Sequence, residues 1–159
     1  MTIEEAVDVL EGYAARGVFR GLSYARSGTG RVAFKMVWHR NRSFELKVDL
    51  RAGTLRMPVV LPEVPAKSDM YRALREFVRE RQAEGRPEHR RIDPSKAAVR
   101  CSNRGGNAGV VVAALDGDLE YGLRKMIALV QEIYLGFLYD GRYYDYMIRV
   151  FDLDPDQMA

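Results

Sequence analysis

Residues 118–152 read DLEYGLRKMIALVQEIYLGFLYDGRYYDYMIRVFD, and the spacing of their apolar side chains decides what kind of fold the chain can build. Asp118 supplies a capping oxygen and Glu120 puts negative charge in the first turn, so a helix starts at Leu119. From there Leu123, Met126, Ile127, Val130, Ile133, Tyr134 and Phe137 recur every three or four residues and share one helical face. Leu129, Leu135 and Leu138 widen that face until little beyond Glu120, Arg124, Lys125, Gln131 and Glu132 stays polar. Such a helix needs cover on most of its sides. Gly136 and Gly141 each cost on the order of 1 kcal/mol in a helix interior, so a bend or short break is expected near Asp140-Gly141. Past it, RYYDYMIRVFD returns to a helical period.

The sheet that this helical region must cover is written upstream. FELKVDL alternates strictly, with Phe44, Leu46, Val48 and Leu50 directed inward and Glu45, Lys47 and Asp49 outward. RVAFKMVWH before it places Val32, Phe34, Met36 and Trp38 on one face, and Lys35 and His39 on the other. TLRMPVVLP after it continues the pattern through Leu55 and Met57, until Pro58 limits the strand because it donates nothing to a ladder. This is the signature of an antiparallel sheet buried on one side. Thr2 with Glu5 forms a capping box for a first helix, and Ser68 or Asp69 caps a second with Met70, Leu74, Phe77 and Val78 as its inner stripe. AAVRC and GVVVAAL add two strands around the turn SNRGGN. The expected order is α-β-β-β(-β)-α-β-β-α(-α), a single α+β domain over 1–159 with helices on one face of an antiparallel sheet.

With 159 residues, 47% hydrophobic and 30% charged, the chain has the composition of a globular protein able to bury a core. No apolar run is long enough to span a bilayer, and the leading MTIEEAVDVL is acidic where a signal peptide is basic. A cytoplasmic protein without a membrane partner is the expectation. The single Cys101 and the two separated histidines, His39 and His89, offer no metal-ligand spacing and no paired nucleophile and base. No catalytic, cofactor or metal site is expected. The glycines of RGGNAG lead into a valine-rich strand rather than a helix, so they read as a hairpin turn and not a phosphate cradle.

Two binding surfaces are readable. The apolar arc of the C-terminal region exceeds what one sheet covers, and tyrosine and methionine are enriched where chains meet. Tyr134, Phe137, Tyr144 and Met147 are accordingly expected to carry protein binding or a homodimer contact, in preference to a small-molecule pocket. The net charge of +3 is mild, but Arg86, Arg90, Arg91, Lys96, Arg100 and Arg104 crowd one stretch. Nucleic-acid binding through residues 86–104, resting on Arg90, Arg91 and Arg100 with Tyr71 or His89 available for stacking, is the alternative.

The stretch RIDPSKAAVRCSNRGGNAGVVVAALDGDLEYGLRKMIALVQEIYLGFL, followed by YYDYMIRVFDLDPD, resembles the YbjN family of bacterial sensory transduction regulators, which is similar to the type III secretion chaperone fold. The first helix, the strands around FELKVDL and the helix MYRALREFVRE match that family by order. The resemblance implies a non-enzymatic, often dimeric protein that acts by binding other proteins.

Overall fold

The computed structural model describes residues 1–152. The last residues of the expected domain, and positions 153–156 of the resemblance, lie outside them. In chain order the elements are α1 (Ile3–Ala15), β1 (Arg20–Arg26), β2 (Arg31–Val37), β3 (Ser43–Asp49), β4 (Thr54–Leu61), α2 (Asp69–Glu80), β5 (Ala97–Arg104), β6 (Asn107–Ala114), α3 (Leu119–Glu132) and α4 (Tyr144–Phe151). The strands form one six-stranded antiparallel sheet in the order β1-β2-β3-β4-β6-β5. This is the expected α+β arrangement.

Capping sets the helix starts. The Glu5 amide donates to the Thr2 hydroxyl, the Tyr71 amide to Ser68 and the Tyr121 amide to Asp118, each at 3.0–3.1 Å. Period two sets the faces of the sheet, so Val32, Phe34, Met36, Phe44, Leu46, Val48, Leu55 and Met57 are all buried on the helical side. Fully burying one such side chain contributes about 1.5–3 kcal/mol. Lying over β4 and β6, α3 sits so close that a Cβ on Gly122 would stand 3.2 Å from Leu55 and 3.5 Å from Val112. The two other long helices flank it, α1 against β1 and α2 against β5.

Pro58 does not end its strand. β4 continues to Leu61 because the register slips: Met57 pairs Val110 and Leu61 pairs Ala108, so extra β4 residues oppose fewer on β6. The bulge absorbs the missing N–H. On its other side β4 leaves β3 early, since the ladder joins only Lys47–Asp49 to Thr54–Arg56. From Ser43 to Leu46, β3 is paired to β2 alone. The sheet therefore splays between β3 and β4.

After α3 the helix widens into a π turn (Ile133–Phe137), tightens into a 3-10 turn (Leu138–Asp140) and stops at Gly141, whose φ of +90° suits a residue without a Cβ. The break expected at Asp140-Gly141 is there. It folds α4 back, bringing the Phe137 and Tyr143 rings to 4.7 Å and those of Tyr134 and Phe151 to 5.9 Å. The Tyr134 hydroxyl donates to the Val60 carbonyl at 2.5 Å and that of Tyr146 to Pro62 at 2.6 Å. These are carbonyls at and just past the end of β4, where β3 has left it. Burial pushes both phenols far above their usual range.

Candidate binding surface

The fold-back removes most of the association face expected on the C-terminal helices. Tyr134 and Phe137 are each 3% exposed and Met147 is 0% exposed within the one chain. Tyr144 alone of the four reaches solvent, at 37%. The apolar width that looked surplus is spent on self-packing, because α4 covers the turns before it. What remains exposed there is Leu135, Tyr139 and Tyr144.

The basic residues of the alternative surface are not gathered either. Arg90 and Arg91 lie on the connection from α2 to β5, where the Glu88 and His89 carbonyls accept from Lys125 of α3 and the Arg91 side chain donates to the Gln82 carbonyl. Arg100 alternates with Val99 and Cys101, which pack on the helical side, and so belongs to the opposite face. Tyr71 is 8% exposed with Arg75 over its ring, which leaves it no base to stack on.

The residues with reactive side chains are kept apart. His39 does not point outward: Arg40 and Asn41 both take φ of +56°, turning the chain so that the imidazole lies 4.3 Å from the Tyr134 ring and nearly parallel to it, with Trp38 on the other side. Burial lowers its pKa to about 4, the Arg40 charge adding to the effect, and its Nε2 is buried with no partner among the described residues. Cys101 is pushed up to about 11 by burial, so it stays a thiol. His89 lines a groove with Arg81, Gln131 and Leu135 that neither His39 nor Cys101 reaches. Among the described residues no three of His, Cys, Asp and Glu are placed to hold a metal ion. No described helix is long and apolar enough to cross a membrane.

The face of the sheet without helices is open. A groove of about 720 Å³ crosses it over β2, β3 and β4, and a second of about 300 Å³, lined by Lys35, Ser43, Phe44, Glu45, Pro58 and Val59, occupies the splay. Cross-strand pairing sets Lys47 beside Arg56, Arg56 beside Val111, and Val111 beside Arg100 in one row. Val111, between these two arginines in the register, is 5% exposed although it lies on the open face. Arg31 pairs with Asp49 at 3.3 Å and Lys47 with Glu45 at 3.5 Å. Arg56, Arg100, Arg104 and Lys35 make no ion pair among the described residues. Like charges side by side on a sheet destabilise it, so this face holds cations at a cost.

Comparison with protein-family models, with curated proteins and with solved structures finds no match. The open face rests on its geometry alone. The alternation of the strand sequences sets Lys35, Glu45, Lys47 and Asp49 outward; it does not reveal that Arg56, Arg100 and Arg104 join them. The available signal was the charge of alternate positions summed over all strands, rather than the density of arginine along the chain.

Proposed function

We propose that the chain is a non-catalytic binding protein, regulatory or chaperone-like in action, that holds a protein partner on the helix-free face of its sheet. The observation that carries this reading is the bare face: one side of a six-stranded sheet, grooved and charged, with the described helices packed on the other side. The dispersal of His39, His89 and Cys101 supports a role without catalysis, and the resemblance to the YbjN family supports protein binding in a bacterial cytoplasm. The test places a photo-crosslinking amino acid at Ala98, exposed on the open face, and at Asp8, exposed on α1. Polypeptide adducts in native cells are expected from Ala98 and not from Asp8. Equal yields from both positions, or none from Ala98, would end the proposal.

A homodimer belongs to the same reading. With Tyr134, Phe137 and Met147 buried, it would use Leu135 and Tyr139, which are 58% and 51% exposed. Leu135→Glu is expected to turn a dimer into a monomer by light scattering. An unchanged dimer mass would place the contact elsewhere.

A further inference from the structure

Resting on the proposed binding role, the geometry points to a particular kind of partner: we infer that the open face takes an acidic polypeptide segment in extended form, seated in the splay between β3 and β4. Three observations converge on it. Lys47 is paired with Glu45, but Arg56 and Arg100 in the same row, with Lys35 and Arg104 near it, carry positive charge that no ion pair among the described residues balances. Carboxylates supply that balance.

Backbone pairing is the second. Between Ser43 and Leu46, β3 has a ladder partner on its β2 side only, and the groove against Pro58 and Val59 lies along the side that β4 has left. An extended peptide meets unpaired strand edges with its own N–H and C=O groups, which a nucleic-acid backbone cannot do. The composition of the face is the third. Neither groove on it is lined by an exposed aromatic ring on which bases could stack, and Glu45 and Asp49 stand among the cations where they would repel a continuous phosphate chain. A polypeptide of mixed but mainly acidic character tolerates both.

The experiment uses the full chain and three probes: a short labelled peptide alternating glutamate and valine, the same peptide with lysine for glutamate, and labelled oligothymidine. Fluorescence anisotropy is expected to show binding of the acidic peptide alone, weakening as salt is raised. The variant Lys47→Gln/Arg56→Gln/Arg100→Gln replaces the three charges with neutral polar side chains and is expected to lose roughly tenfold in affinity, at about 1.4 kcal/mol per factor of ten. Its melting curve reports separately that it folds. Arg90→Gln/Arg91→Gln, on the helical side, is expected to bind as the parent does. In amide NMR spectra the peptide should shift Ser43–Leu46. Oligothymidine binding as tightly as the peptide, or no peptide binding at all, overturns the inference, as does affinity indifferent to the triple substitution. If Ala98 crosslinks to proteins while the acidic peptide fails to bind, the binding role stands and only the acidic partner falls.

Discussion

His39 shows what a single side chain contributes that a pattern cannot reveal. Its ring is neutral in the stack on Tyr134, with a pKa of about 4, while in the unfolded chain it titrates near 6.5. As pH falls below 6.5 the unfolded chain takes up a proton that the folded chain does not, so stability present above pH 6.5 declines and is lost as pH passes 4. The expected loss is on the order of 2 kcal/mol, less than the full shift implies because the residue is only partly buried. Urea midpoints between pH 7 and 4 should show it, and His39→Phe should flatten that dependence and remove the unpartnered Nε2. A His39→Phe profile parallel to the parent's would contradict the assignment. Tyr134 tests the other half of the stack. Tyr134→Phe leaves the Val60 carbonyl without its donor and should cost about 1–3 kcal/mol in chemical denaturation.

At the scale of elements, the strands were legible and their interruptions were not. Strict alternation in FELKVDL placed Phe44, Leu46 and Val48 correctly because a half-buried strand has only two faces. His39 escaped the same logic: the left-handed Arg40 and Asn41 rotate the chain just after Trp38, and a period of two does not survive a turn. Pro58 reads as a stop in the sequence because the bulge that accommodates it depends on β6, about fifty residues away. Gly109 of β6 completes that bulge. A Cβ there would sit 2.4 Å from the Met57 carbonyl oxygen and 2.5 Å from that of Pro58, both backbone atoms that have little freedom to yield. Gly109→Ala should destabilise by about 3 kcal/mol or prevent folding, a loss measurable by calorimetry. Arg81 and Glu132 join the end of α2 to the end of α3 at 2.6 Å, with Arg81 8% exposed and its guanidinium 4.0 Å above the Phe77 ring. Glu132→Ala strands that cation and should cost about 3–5 kcal/mol, whereas Arg81→Met with Glu132→Leu should cost far less. Equal losses would show that the pair adds stability of its own.

Across the whole molecule, the linear sequence is most misleading about which residues share a surface. The apolar tail was read as surplus because periodicity measures how wide a stripe is without saying that Gly141 lets the chain fold over itself. The basic residues of 86–104 are neighbours in sequence but not in space. Instead β5 turns Arg100 toward the open face, while the Lys125 contacts of the preceding connection keep Arg90 and Arg91 over the helices. The sheet divides along the same lines. β1–β3 and β4–β6 meet through a short ladder at Lys47–Asp49, so amides of Ser43–Leu46 that do not bond to β2 should exchange with deuterium faster than those in the centre of β6. Uniform protection across β3 would speak against the division.

That narrow junction makes the protein mechanically uneven. Two three-stranded leaves share few rungs, and where the rungs run out two tyrosine hydroxyls rivet the edge of one leaf to the C-terminal helices. A load applied across the leaves would concentrate on those rungs and rivets, so the molecule should yield there first, parting like a book along its spine while each leaf stays whole.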